Sequence, residues 1–153
     1  VSSAASDVYK RQSLSESMKN FLKNLTAEHD FCHGFKESIA EPGGRERLKD
    51  AIKNNPPVVH PVIRTHPITK RKAIFVNPLF TTRINELSKS ESDALLEFLY
   101  SYSITPEFTC RFSWTPNSIA IWDNRCTLHK PINDYFPEHR LLERITVDGD
   151  EPF

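Results

Sequence analysis

The side chains best suited to chemistry lie in the last third of the chain, where one histidine is followed by two arginines. An apolar run at residues 119–122 breaks into a turn-forming Asp-Asn-Arg cluster, and His129 follows that turn. A histidine delivered from the end of a buried strand can hold a metal ion. Arg140 and Arg144 stand four residues apart in a segment whose aliphatic residues predict a strand. We therefore hypothesise a metal-and-anion site for a small molecule.

The two arginines are expected to serve different anions. Residues two apart along a strand share a face, so Arg140 and Arg144 are expected to point the same way. At about 3.3 Å per residue they lie roughly 13 Å apart, which suits two anions at opposite ends of a pocket. A guanidinium binds carboxylate or sulfonate through two parallel hydrogen bonds. The spacing is equally compatible with exposed strand charges that pair with Glu138 or Glu143.

The residues around His129 do not identify a metal. Iron(II) oxygenases use two histidines and one carboxylate, of which the first two usually come as His-x-Asp or His-x-Glu. None of the six histidines has an acidic residue two positions later. Cys126 and His129 have the spacing of zinc ligands, but no second pair completes a zinc site. His129 is therefore a candidate ligand without visible partners in the sequence.

Composition limits the class of protein in which such a site would work. The 153 residues suit one domain, and 20 basic residues against 20 acidic ones leave no net charge. This balance argues against nucleic acid or a membrane surface as a partner, because both favour a basic surplus. Three widely spaced cysteines favour a reducing, cytoplasmic location over a disulfide framework. We expect a globular protein that binds small molecules and is compatible with a homo-oligomer.

The elements that must position these residues follow from apolar periodicity and from breaks at proline and glycine. Helices are predicted at residues 15–24, at 45–53, and from a capping box at Ser88 and Glu91 to just before Pro106. The predicted apolar face of the last helix comprises Ala94, Leu95, Phe98, Leu99 and Tyr102. Strands are predicted at residues 26–35, 58–65, 72–77, 108–113, 118–122 and 140–147.

This order of elements favours a mainly β fold, either a barrel or a jelly-roll core with helical insertions. Residues 1–12 lack apolar periodicity and look like translated adapter sequence, so we expect a non-native or disordered segment there. Residues 13–153 would then carry the domain.

Three stretches closely resemble the taurine dioxygenase family of iron(II)- and 2-oxoglutarate-dependent oxygenases. They read HPVIRTHPITKRKAIFVNPLFTTRI from His60, IAIWDNRCTLH from Ile119, and NDYFPEHRLLERITVDGDEPF from Asn133. The resemblance extends from Ser13 to Phe153 and implies a double-stranded β-helix, the cupin-like jelly roll. It also implies Fe(II), with 2-oxoglutarate and O2 as cosubstrates. The implied reaction hydroxylates the carbon next to sulfur in taurine or a related sulfonate, releasing sulfite, an aldehyde, succinate and CO2.

The resemblance assigns a role to each candidate residue. His129 matches the distal iron-binding histidine of the family, and Arg140 matches the arginine that binds the far carboxylate of 2-oxoglutarate. Arg144 matches the arginine that binds the substrate sulfonate. Phe80 and Phe35 match two aromatic walls of the substrate pocket.

The chain departs from the family pattern at two points. The His-x-Asp half of the iron site is missing, so the resemblance implies a C-terminal fragment with an incomplete jelly roll that is inactive by itself. Gly34 stands where taurine enzymes have a serine, which leaves the substrate open. Alkyl sulfates and aryloxyacetates are alternative substrates, and a non-catalytic, anion-binding jelly roll is an alternative of another class.

Overall fold

The computed structural model of the chain describes residues 2–132, 134–139 and 141–153. Its helices are α1 (Asp7–Ser13), α2 (Glu16–Leu22), α3 (Phe31–Gly34), α4 (Lys36–Ala40), α5 (Gly44–Arg47), α6 (Lys49–Asn54) and α7 (Lys89–Ser103), with a 3₁₀ turn at Pro106–Phe108. Its strands are β1 (Ser2–Ser6), β2 (Thr26–His29), β3 (Val58–Pro61), β4 (Ile63–Thr65), β5 (Lys72–Ile74), β6 (Thr81–Ile84), β7 (Thr109–Phe112) and β8 (Thr127–Pro131).

The strands form three small antiparallel sheets. One has the order β3-β2-β6, a second has the order β7-β1-β8, and β4 and β5 form a two-stranded hairpin. In the hairpin Ile63 pairs with Ile74 and Thr65 pairs with Lys72. This agrees with the prediction of two strands joined by a polar turn. Helices hold more of the described residues than the predicted mainly β composition implies.

The β3-β2-β6 sheet, the hairpin and α7 share one hydrophobic core. Its members include the fully buried Leu22, Ala27, Val62, Ile84 and Leu99. Full burial of a leucine side chain contributes roughly 1.5–3 kcal/mol, so Leu22 and Leu99 each stabilise the fold substantially. The Ile84 backbone N–H donates to the Ser92 hydroxyl oxygen at 2.8 Å, which joins β6 to α7.

The capping box predicted for α7 is confirmed, but its predicted apolar face needs correction. The Glu91 carboxylate accepts a hydrogen bond from the Ser88 backbone N–H at 2.9 Å. Phe98 is 41% exposed, so it lies off the buried face. The residues that face the sheet are Ser92, Leu96, Leu99 and Ser103. Two of these residues are serines, so the face is less apolar than periodicity predicts. Their hydroxyls can be buried because they form hydrogen bonds with backbone groups.

Residues 2–13 form strand β1 and helix α1, so the described part of the segment 1–12 is not disordered, and its expected non-native origin stays a prediction. Strand β1 pairs with both β7 and β8, which are not paired with each other in the described structure. In α1 the buried Lys10 ammonium pairs with the Asp7 carboxylate at 2.6 Å. Burial raises the pKa of Asp7, while the charge of Lys10 opposes that rise. Strand β1 lies between β7 and β8, and its backbone donors and acceptors join the two strands into one sheet.

The two strands expected at residues 118–122 and 140–147 are corrected by the structure. Residues 118–122 and 141–147 form no regular element. Ile119, Ile121 and Ile145 are 85%, 94% and 93% exposed, so their apolar side chains face solvent instead of a core. A strand needs a neighbour that accepts its backbone hydrogen bonds, and no described strand flanks these segments.

Cys32, Cys110 and Cys126 are free thiols. In the part of the chain that the structure describes, no helix combines the length and apolar character needed to cross a membrane.

Candidate functional site

His129 lies in the middle of β8 and packs against an aromatic ring. Its backbone pairs with Ala4 of β1. Its imidazole stacks on the Trp122 indole, with ring centroids 4.4 Å apart and planes inclined by 16°. The Trp122 indole N–H donates to the Asn124 side-chain oxygen at 2.8 Å, which orients the indole. The predicted ligand is therefore held against Trp122 by the strand on one side and by a turn on the other.

The turn between Trp122 and β8 is organised by one carboxylate. Asp123 Oδ1 accepts hydrogen bonds from the backbone N–H and the Nε of Arg125, both at 2.9 Å. Asp123 Oδ2 lies 2.8 Å from a terminal guanidinium nitrogen of Arg125 and 3.0 Å from Nε2 of His66. The hydrogen bonds from Arg125 hold the pKa of Asp123 far below its usual range. The predicted turn role of Asp123 is confirmed.

The contact between Asp123 and His66 was not predicted from the sequence. The two residues stand 57 positions apart, and no local motif links them. No metal-ligand spacing in the sequence singles out His66 among the six histidines. Only the packing of the hairpin against the turn brings His66 to this carboxylate.

The predicted aromatic walls, Phe35 and Phe80, lie together. Their ring centroids are 6.2 Å apart, and Phe31 stacks on Phe35 at 4.5 Å. Phe80 is fixed by its backbone, because its N–H donates to the Asn77 side-chain oxygen at 2.9 Å. Its carbonyl accepts from the Asp30 N–H at the same distance. A shallow cavity of about 280 Å³ beside Phe35 is bordered by the segments 33–38 and 78–79.

Gly34 lies close against Leu79 and Phe80. A Cβ atom built at Gly34 would lie 2.8 Å from the Leu79 carbonyl oxygen and 2.8 Å from the Phe80 ring. Real Cβ contacts are longer, so any side chain here would push the Phe80 segment outward. The serine expected from the resemblance would not fit this arrangement without such a shift.

The structure describes one of the two arginines of the hypothesised anion site. Arg140 lies outside the described residues, so its predicted role stays a prediction. Arg144 is exposed, in a segment without regular structure. In the described part of the chain it makes no ion pair with Glu138 or Glu143, the partners expected if it were only a neutralised strand charge.

The described residues do not complete an iron site around His129. Among them, one group of three metal-ligating side chains lies close enough to share an ion, namely His66, Asp123 and Cys126. His129 is not a member of that group. The zinc spacing of Cys126 and His129 is likewise not realised as a cluster. The structure thus brings together Phe35 with Phe80, which precedes β6, and Trp122 with His129 of β8, and β6 and β8 belong to different sheets.

A buried histidine elsewhere in the fold carries a strongly shifted pKa. His29 at the end of β2 is 8% exposed, and its Nε2 has no hydrogen-bond partner among the described residues. Its ring lies 5.3 Å from that of His60 and 5.7 Å from that of Phe75. Burial lowers the pKa of His29 to about 4, with a further contribution from His60. His29 therefore belongs to the core as a neutral ring.

Comparison with known proteins places this arrangement among dioxygenases. Residues 4–146 match the sequence model of the family described as taurine catabolism dioxygenase TauD, TfdA family. An alpha-ketoglutarate-dependent sulfonate dioxygenase of Saccharomyces cerevisiae is 35% identical over 143 residues, which cover 91% of this chain and 33% of that protein. An alkylsulfatase of Acinetobacter baylyi is 34% identical over 142 residues, covering 91% of this chain and 44% of that protein.

A solved structure agrees with these relatives. The taurine dioxygenase from Burkholderia xenovorans superposes on this chain with a TM-score of 0.67 and 30% sequence identity. The superposed part covers 84% of this chain and 40% of that one. The chain thus spans less than half the length of these relatives.

Proposed function

The chain belongs to the taurine catabolism dioxygenase (TauD, TfdA) family. From that premise we propose that its function is that of a 2-oxoglutarate-dependent dioxygenase. The observation that carries this proposal is the family match over residues 4–146, which includes His129, Arg140 and Arg144. The proposed substrate is a sulfonate or a sulfate ester. Relatives of nearly equal identity are named for each of these two substrate classes.

The residues of this chain would divide the work between metal and anions. His129 would supply one imidazole ligand to Fe(II), and Arg140 would hold the distal carboxylate of 2-oxoglutarate. Arg144 would bind the substrate anion, for which its exposed guanidinium and its lack of an ion pair in the described structure are suitable. Phe35 and Phe80 would form the apolar wall against the carbon chain of the substrate.

The proposed overall reaction balances without a further oxidant. A sulfonate, 2-oxoglutarate and O2 would give sulfite, an aldehyde, succinate and CO2, and taurine is the sulfonate that the resemblance favours. Iron and 2-oxoglutarate supply the oxidising chemistry when bound, whereas the protein supplies orientation and charge. We also infer that the three antiparallel sheets belong to a double-stranded β-helix, and we place the protein in the cytoplasm on account of its free thiols.

A chimera tests the proposed function. The segment of the Saccharomyces cerevisiae sulfonate dioxygenase that this chain matches would be replaced by residues 4–146, and sulfite and succinate would be measured with Fe(II) and 2-oxoglutarate. We expect turnover of a sulfonate or a sulfate ester, and loss of turnover in the His129→Ala variant. A folded chimera that consumes no 2-oxoglutarate with taurine, longer alkyl sulfonates or alkyl sulfates would overturn the proposal.

The same chimera separates the two arginine roles. Arg144→Ala is expected to raise KM for the sulfonate while leaving the KM for 2-oxoglutarate unchanged, and Arg140→Ala is expected to do the reverse. Arg144→Lys serves as the matched control for charge without the planar fork. Turnover of a sulfonate that is indifferent to Arg144→Ala would contradict the assignment of this residue.

A further inference from the structure

His66 is a buried histidine whose position is fixed by its own hairpin. It follows β4 directly, and its side chain and backbone together are 5% exposed. Its N–H donates to the Arg71 carbonyl and its carbonyl accepts from the Lys70 N–H, both at 2.9 Å. These bonds close the turn between β4 and β5. The imidazole therefore projects from a rigid part of the scaffold.

The hydrogen bonds around the ring determine which nitrogen of His66 carries the proton. Nδ1 accepts from two backbone donors, the N–H groups of Ile68 and Thr69, each at 3.2 Å. An imidazole nitrogen that accepts hydrogen bonds is unprotonated, so the proton of the neutral ring resides on Nε2. Nε2 then donates to Asp123 Oδ2 at 3.0 Å. The two ends of the ring thus join the hairpin turn to the turn before β8.

The segment that receives this bond has few other anchors. Ile119 and Ile121 are 85% and 94% exposed, so packing of their side chains does not fix the position of the segment that leads to Trp122. On the far side of the turn, the Asp7 N–H donates to the Cys126 carbonyl at 3.0 Å. Between these points the hydrogen bond from His66 attaches Asp123, the neighbour of Trp122, to a buried group.

We propose that His66 is a positioning residue: through its hydrogen bond to Asp123 it anchors this turn and so holds the Trp122 ring against His129. The functional meaning of this arrangement rests on the proposed role of His129 as a metal ligand, which the stacked indole would keep in one orientation. The hydrogen bond and the ring stack themselves are properties of this chain and can be tested without metal or substrate.

A cation site is the competing explanation for the same residues. The ligand atoms of His66, Asp123 and Cys126 all lie within 4.8 Å of one another. However, both oxygens of Asp123 already accept hydrogen bonds from Arg125, whose positive charge would repel a cation. Nδ1 of His66 is also occupied by two amide donors. The geometry therefore favours a hydrogen-bonded tether over a bound metal.

Nuclear magnetic resonance of the chain tests the tether directly. Long-range ¹H–¹⁵N spectra of the histidine rings should show His66 as the neutral form protonated at Nε2. Nuclear Overhauser effects between the Trp122 and His129 rings should be present in the wild type and lost in His66→Leu. His66→Gln, whose amide can still donate to Asp123, should keep them. Because a residue that only stabilised the fold would lower Tm without removing these effects in folded molecules, the two roles are distinguishable.

A second pair of variants tests the tether without a substitution at the buried His66, which could prevent folding. Asp123→Ala removes the acceptor from a partly exposed position and should also abolish the ring contact. Arg125→Ala removes the guanidinium but leaves the bond between His66 and Asp123, so it should retain the contact. An unchanged ring contact in folded Asp123→Ala, a proton on Nδ1 of His66, or a shift of its ring nitrogens on addition of one equivalent of Zn²⁺ would overturn the tether. None of these outcomes bears on the consumption of 2-oxoglutarate, by which the proposed function is judged.

Discussion

Two regions of this chain differ in what holds them in place. The first, residues 26–103, contains the β3-β2-β6 sheet, the hairpin and α7, and its apolar side chains are largely buried. The second, residues 113–153, contains β8 and little other regular structure among its described residues, and Ile119, Ile121 and Ile145 are almost fully exposed. Most of the residues proposed to bind metal and anions lie in the second region. Phe35 and Phe80, which would contact the apolar part of the substrate, lie in the first.

The difference indicates which interactions fix the position of His129, the proposed metal ligand. In the first region, position follows from burial, which is distributed over many side chains and is hard to remove at one point. In the second, position depends on a few hydrogen bonds, such as those of Asp123 with His66 and Arg125. Single substitutions should therefore change stability in the first region and local geometry in the second.

The largest contrast is expected between two aliphatic truncations. Leu99→Ala removes a side chain that is 0% exposed and should lower the free energy of unfolding by about 2–5 kcal/mol. Ile121→Ala truncates a side chain that is 94% exposed and should change it by less than about 0.5 kcal/mol. Urea denaturation monitored by circular dichroism measures both. Equal losses would mean that the second region has a core of its own.

The same difference between the regions explains why the sequence predicts the helices and strands of the first region better than those of the second. The capping box at Ser88 and the hairpin of β4 and β5 depend on local spacing, and local spacing is visible in the sequence. The apolar runs 118–122 and 140–147 satisfy the pattern of strands, but a pattern states only what a segment could bury. Whether it becomes a strand depends on a neighbour, and in the described structure these segments have none.

The candidate site shows the same limit. The resemblance nominated Phe35 and Phe80, and their ring centroids lie 6.2 Å apart in the structure. The stack of Trp122 on His129 could be suspected from their spacing, once the turn between them is recognised. The bond between His66 and Asp123 could not, because it joins residues 57 apart and depends on how the hairpin packs.

The next contrast adds one methyl group to a glycine in each region. Gly34→Ala places a Cβ against the Leu79 carbonyl and the Phe80 ring and should cost about 1–3 kcal/mol through overpacking. Gly149→Ala meets only an Arg125 side-chain carbon at 3.9 Å and should be nearly neutral. Thermal unfolding compares the two. If Gly34→Ala were as harmless as Gly149→Ala, the Phe80 segment would be free to move.

The smallest contrast concerns pH and compares a buried histidine with an exposed one. The pKa of His29 falls from its ordinary 6.5 to about 4 on burial, so between these values the unfolded chain binds a proton that the native chain does not. Because stability rises with pH wherever the unfolded state binds more protons, acidification from about pH 7.5 to about pH 5.5 should lower the free energy of unfolding by about 1 kcal/mol after allowance for solvent screening. Below about pH 4 both states are protonated and this loss is complete.

Substitution isolates this contribution from those of the carboxylates. His29→Phe should flatten the dependence of the unfolding free energy on pH across this window, because no group at this position then titrates in the unfolded chain. His139→Gln, which removes an exposed histidine of the second region, serves as the control for the loss of one histidine. Urea titrations at several pH values measure the slopes. If the slope were unaffected by His29→Phe, then His29 would titrate alike in both states, and the burial that defines the first region would not extend to the end of β2.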